Sequence, residues 1–191
     1  MQDKVSPAIF NQECASSYDK QRAKLAPMKD ALHLLIRTVL CELPANARIL
    51  CVGVGTGSEL IYLAKEFPQW RFTAVEPAAA MLDICRRRTQ EEGVAARCTF
   101  HEGYLDSLPE VDAFDAATCI LVSHFLVKPE ERRHLFREIA ARLRPDAYMV
   151  NADLASDMTS PAFQSLLDVW LRAHKYADMP VNRDSFGRNV A

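Results

Sequence analysis

The sequence predicts an α/β fold, a doubly wound and mainly parallel sheet in one domain. Three observations carry this. Short apolar runs alternate with helical stretches, a glycine turn follows the first run, and 191 residues suit one core at about 150 residues per domain. Residues 1–26 are polar and irregular and are expected to form an N-terminal cap segment, 27–153 the core, and 154–191 a helical C-terminal segment. Met28, Leu32, Leu35, Ile36, Val39, Leu40 and Leu43 recur at helical spacing until Pro44, so that helix should pack on the sheet. Arg48 to Gly53 is a short apolar run leading into glycines, as a buried parallel strand would be. Leu60, Ile61, Ala64 and Phe67 trace the next helix. There follow a strand from Arg71 to Glu76, a helix from Ala79 to about Glu92, strands from Arg97 to His101 and from Phe114 to Leu121, a helix from Pro129 to Leu143 and a strand from Tyr148 to Asp153. Right-handed crossovers between such strands place helices on both faces of an open sheet. Phe163, Leu166, Leu167, Trp170 and His174 share one face of a last helix, and core packing is preferred for them over an acceptor pocket.

Composition narrows the function. Lysine plus arginine number 23 against 25 aspartate plus glutamate, a net charge of −2, so no basic field supports nucleic-acid binding. Six cysteines occur without C-x-x-C spacing, and no secretion signal precedes them, which points to reduced thiols in a cytoplasmic protein and to no metal site. No run approaches the ~18 apolar residues of a membrane span.

The strongest chemical signal is Cys51-Val52-Gly53-Val54-Gly55-Thr56-Gly57-Ser58, at the turn from first strand to helix. Glycines there let a ligand approach the backbone at a helix N-terminus, with its free N–H groups and positive dipole end. A tight turn without a ligand is the plainer reading, but three alternating glycines exceed what turning needs. Glu76, which ends the next strand, stands where a carboxylate reaches ribose hydroxyls in a βαβ nucleotide site. Ser58 occupies the last glycine position of a G-x-G-x-x-G fingerprint, which weakens a dinucleotide reading, and no P-loop G-K-[ST] follows.

With these features the sequence resembles the class I, Rossmann-like S-adenosylmethionine-dependent methyltransferases, from roughly Ala15 to Asp153. The resemblance is carried in order by ILCVGVGTGSEL, AVEPAAAMLDIC, HEGYLDSLP, FDAATCILVSHFL and LRPDAYMVNADL. It implies S-adenosylmethionine as cofactor, with S-adenosylhomocysteine as product. Gly53, Gly55, Thr56 and Gly57 would line its methionine end, and Glu76 would bind its ribose. Pro77 and Met81 would flank the adenosine, and Gly103, Tyr104 and Leu105 would form the adenine loop. Cys119 and Ile120 lie in the stretch that would face the transferred methyl group. Tyr18 and Arg22 lie in a cap able to touch the cofactor's carboxylate, although a solvated helix explains that stretch as well. Three positions depart from the family: Cys51 where an acid is common, Tyr104 where an aspartate is, and Leu143-Arg144-Pro145-Asp146-Ala147 in place of a Pro-Gly-Gly turn. Family members continue into an antiparallel hairpin, and this chain is expected to lack those last strands, leaving a sheet edge where two copies could pair.

Methyl transfer from a sulfonium needs alignment more than proton chemistry. A base would help a hydroxyl or protonated amine acceptor, and His124 is the catalytic candidate, with Asp153 behind it. The arginine run at 86–88 reads as a solvated face. The sequence therefore points to methyl transfer onto a small-molecule acceptor. A non-catalytic cofactor-binding or interaction module is the alternative, and a dinucleotide oxidoreductase a more distant one.

Overall fold

A computed structural model describes residues 10–153 and 160–179. Five strands, β1 (Arg48–Val52), β2 (Arg71–Glu76), β3 (Cys98–Glu102), β4 (Phe114–Ile120) and β5 (Leu143–Ala152), form one parallel sheet in the order β3-β2-β1-β4-β5. The chain winds outward from β1 to β3, returns to the far side of β1 as β4 and winds outward again to β5. Strand order therefore reverses between β1 and β4, and such a reversal opens a crevice outside the carboxyl ends of the strands.

Six helices accompany the strands: α1 (Gln12–Gln21), α2 (Ala26–Leu40), α3 (Ser58–Glu66), α4 (Ala79–Glu91), α5 (Pro129–Ala141) and α6 (Ala162–Tyr176). Side chains alternate across a strand, so β1 feeds two cores. Ile49 and Cys51 pack with Ile36 and Leu40 of α2, Leu60, Leu63 and Ala64 of α3, and Leu82 and Cys85 of α4. Leu50 and Val52 pack on the other face with Ala117, Cys119 and Ile139 of α5. As expected, no α-helix joins β3 to β4. A 3₁₀ turn over Leu105–Ser107 does so, and buried Leu105 and Leu108 fill that part of the second core. No described helix is long and apolar enough to cross a membrane, and no metal-binding cluster occurs among the described residues.

The structure departs from the sequence reading in four places. The N-terminal segment is not irregular throughout: Asn11 caps α1 by accepting from the Cys14 N–H at 2.9 Å, and a 3₁₀ turn at Ala23–Leu25 leads into α2. The α2 stripe is narrower than expected, since His33, Ile36 and Leu40 are buried while Met28, Leu35 and Val39 are exposed, and the helix stops before Leu43. In α6, Phe163, Leu167 and His174 are buried but Leu166 is 58% exposed. The segment Leu143 to Ala147 is not a turn before β5 but a bulge inside it. Leu143 pairs with Phe114 and Tyr148 with Ala116, and Asp146 takes the left-handed conformation (φ 64°) that a glycine commonly supplies. Asp115 anchors the bulge by binding Arg144 and accepting the Arg48 N–H at 2.7 Å.

Gly57 shows how tightly α3 meets α4. Its φ is 81°, and a Cβ there would lie 2.5 Å from the Cys85 sulfur. Gly57→Ala is therefore expected to cost roughly 2–4 kcal/mol in urea denaturation, as left-handed strain plus overpacking. Adding Cys85→Ala should recover the packing share and leave the backbone share. Equal stability of single and double variants would show that this contact does not set the requirement for glycine.

Candidate active site

The crevice at the strand reversal is floored by the turn between β1 and α3. Gly53, Gly55 and Gly57 all have positive φ, at 66°, 55° and 81°. Their reasons differ. A Cβ on Gly53 would strike the Val122 side chain at 2.5 Å, so this glycine serves contact with the segment after β4, as Gly57 serves contact with α4. Only above Gly55 is there room, the nearest atom to a built Cβ being Met81 Cε at 3.6 Å. Of the three glycines expected to admit a ligand, Gly55 alone has that space, while the other two admit protein side chains.

Glu76, at the end of β2, joins the three segments around this space. Its Oε2 accepts the Gly55 N–H at 2.9 Å and its Oε1 accepts the Ala78 N–H, at the start of α4, at 3.0 Å. Its carbonyl accepts the Gly103 N–H at 3.1 Å. The side chain is buried, and burial raises its pKa while the two amide donors lower it. Each carboxylate oxygen offers two acceptor directions, so both can still receive a ribose hydroxyl.

The other residues expected at the cofactor lie at or beyond the carboxyl ends of β2, β3 and β4. Half-buried Pro77 and buried Met81 flank the start of α4. Gly103, Tyr104 and Leu105 lie beyond β3, where the Tyr104 carbonyl accepts from the Ser107 hydroxyl at 2.7 Å and a Cβ on Gly103 would meet that oxygen at 2.7 Å. Ile120 lies at the end of β4, packed against the first core. Cys119 corrects an expectation. Its side chain belongs to the second core with Leu50, Val52 and Ile139, where burial pushes the thiol up to about 12, so it is a packing residue.

Helix α1 closes over one side of the crevice. Tyr18 packs with Ala15, Ala78, Met81 and Ile84, and burial raises its phenol. Arg22 lies 3.7 Å over the Tyr18 ring, so in this conformation its guanidinium stacks on the cap. A latch unmarked in the sequence fastens the cap to the glycine turn. Thr56 Oγ1 donates to Asp19 at 3.0 Å, and Arg88 Nη1 reaches the other Asp19 oxygen at 2.9 Å and the Thr56 carbonyl at 3.0 Å. Arg88 thus leaves the solvated face on which its run placed it. The signal was there in part, since Asp19 follows Tyr18 in the expected cap and Thr56 lies in the glycine turn, but 37 residues separate them.

On the other side of the reversal, His124 and Asp153 meet. The Asp153 carboxylate, just after β5, receives the His124 Nδ1 hydrogen bond, the His124 N–H at 2.9 Å and the Ser123 hydroxyl at 2.6 Å. With Nδ1–H directed at the carboxylate, the remaining ring nitrogen, Nε2, is the one able to accept a proton. One further group went unread in the sequence. Glu59, in the first turn of α3, turns its carboxyl to the sheet and accepts the Thr118 hydroxyl beside Cys51. An acid in a first helical turn reads as a dipole partner, which hides an inward direction.

Comparison with known proteins identifies the family. A family model described as a methyltransferase domain matches residues 49–146. The carboxy-S-adenosyl-L-methionine synthase of Campylobacter lari is 28% identical over 147 residues, which cover 75% of this chain and 60% of the synthase. An amino pentose methyltransferase from Micromonospora echinaspora, solved with S-adenosylmethionine bound, superposes with a TM-score of 0.52 at 27% identity, over 66% of this chain and 49% of that one. A methyltransferase from Geobacter sulfurreducens in complex with S-adenosylhomocysteine gives 0.56 at 20% identity, over 74% and 62%, a likeness of fold. The chain thus spans less than two thirds of each of these proteins.

Removing the Glu76 carboxylate should do more than weaken a ligand. Glu76→Ala leaves the Gly55 and Ala78 amides without their acceptor, and about 2–3 kcal/mol of stability should go with it in thermal or urea unfolding. Unchanged stability would show that water replaces the carboxylate without loss.

Proposed function

The chain belongs to the methyltransferase domain family, and on that premise we propose that it moves a methyl group from S-adenosylmethionine to a small-molecule acceptor by in-line displacement. The observation that carries this reading is the Glu76 carboxylate, which holds the glycine turn and the start of α4 together beside Gly55, where a Cβ would meet no protein atom closer than Met81 Cε at 3.6 Å. These residues fit the cofactor: acceptors for two ribose hydroxyls on Glu76, Met81 and Pro77 beside an adenosine, the Gly103–Leu105 loop at its adenine, and a glycine that leaves its backbone bare. Bound there, the cofactor supplies a methyl on a sulfonium, whose departure needs no acid.

The chain's own part is to hold, align and exclude water. Tyr18 and the rest of α1 cover the crevice, with the Asp19–Thr56–Arg88 latch keeping the cap down. His124 is the base in this reading. As the acceptor's oxygen or nitrogen takes the methyl group, its proton passes to Nε2, and Asp153 stabilises the imidazolium that results. The net charge of −2 favours a small acceptor over a nucleic acid.

Titration calorimetry with S-adenosylmethionine and S-adenosylhomocysteine tests the cofactor, and binding of both, undisturbed by nicotinamide dinucleotides, is expected. In a screen of hydroxyl and amine acceptors, His124→Ala should lower kcat by roughly 10²–10⁴-fold while cofactor affinity stays within about twofold. Binding without turnover on any acceptor would favour a cofactor-binding module, and no binding would overturn the proposal.

The reading extends to assembly. Strand β5 is an edge of the described sheet, with Tyr148 49% exposed on it, and we propose that two copies pair there. Sedimentation should then show a dimer that Tyr148→Lys weakens, whereas a monomer at high concentration would dismiss the pairing.

A further inference from the structure

Glu59 is an acid that the proposed mechanism leaves unused, and its position is unusual. It lies in the first turn of α3, two residues past Gly57, and its carboxyl reaches the sheet at the point of strand reversal. There Cys51 of β1 and Thr118 of β4 are register partners. Thr118 donates its hydroxyl to the carboxyl and the Cys51 thiol is a second donor. No cation pairs with Glu59 among the described residues.

A carboxylate enclosed in this way has lost water without gaining a counter-charge, an arrangement that costs stability unless a ligand supplies the charge. Burial raises Glu59 to about 7, so near neutral pH the carboxyl is poised between its two states. A cation arriving beside it would favour the ionised form. Under the cofactor reading, the ligand at this turn carries a cation of suitable size, the α-ammonium of its amino-acid end.

We propose that Glu59 binds that α-ammonium, so that helix α3 supplies the carboxylate that strand β1 lacks at Cys51. The small Cys51 side chain is part of the arrangement, since a longer one at that register position would occupy the space the Glu59 carboxyl fills. Thr118 and Cys51 orient the carboxyl with one hydrogen bond each, and the acceptor directions that remain on its two oxygens are those offered to the ammonium. The inference rests on the cofactor reading of the crevice.

Two ligands separate the possibilities on the full chain: S-adenosylhomocysteine, which has the amino-acid end, and 5′-methylthioadenosine, which lacks it. Glu59→Gln keeps the acceptor for Thr118 and removes a buried charge, so the fold should hold, with the melting temperature as its check. The variant is expected to bind S-adenosylhomocysteine at least tenfold more weakly than the unaltered chain and 5′-methylthioadenosine with unchanged affinity. Wild-type affinity of Glu59→Gln for both ligands would overturn the assignment and leave the cofactor reading standing. An equal loss for both would also overturn it, by showing that Glu59 only shapes the crevice. If the unaltered chain bound neither ligand, the cofactor reading would fall and this inference with it.

Discussion

The site depends on one buried carboxylate with two amide donors. Parallel strands end together, and the segments leaving β1, β2 and β3 would be free to splay if nothing tied them. Glu76 ties them at three points, through Gly55, Ala78 and its own carbonyl to Gly103. Two of its partners lie where helices begin, at the glycine turn before α3 and at the start of α4, where unpaired N–H groups favour an anion. The desolvation cost of burying the acid is offset at those helix starts, and the same geometry leaves acceptor capacity on the side of the open space. Stability and ligand recognition at Glu76 are therefore hard to separate.

Much of this was legible in the sequence because it is local. The alternation of apolar runs fixes strand and helix in turn, and the strand-to-helix position of the glycines follows from the run that precedes them. Glu76 was legible for the same reason, as the last residue of a run. What stayed hidden is non-local or directional. The latch joins Asp19, Thr56 and Arg88 across three elements, and no spacing rule relates residues that meet only when α1 folds back. Cys51 reads as a missing charge along the strand, whereas the space it leaves is filled from another element. The bulge in β5 was hidden because Pro145 and Asp146 are turn formers, and a turn inside a strand is settled by pairing with β4. The separate purposes of Gly53, Gly55 and Gly57 are likewise invisible until their neighbours are placed.

In the proposed reading the two sides of the strand reversal divide the work. On the side of β2 and β3, the groups that line the crevice are glycines, backbone amides and Glu76, suited to holding a ligand of fixed shape. On the side of β4 and β5 stand Ser123, His124 and Asp153, a hydrogen-bonded set that can exchange a proton. Contact between Gly53 and Val122 brings the two sides together across the top of β1 and β4, so the position of the segment bearing His124 is set partly by the absence of a side chain in the glycine turn.

That close approach bears on the electrostatics of the crevice. Glu59 and Glu76 both bring a carboxyl to the sheet near the point of strand reversal, and neither pairs with a lysine or arginine in the ion pairs of the described residues. Two arginines of α4 have other partners, since Arg88 goes to Asp19 and Arg86 to Asp83. The two acids are instead held by a hydroxyl, a thiol and amides, partners that orient a carboxylate without cancelling its charge. Low-dielectric walls strengthen the field such groups project into the space between them. On the proposed reading, carboxylates held in this way would favour a sulfonium and an ammonium, and the neutral thioether left after methyl transfer would be held less strongly than the cation that entered.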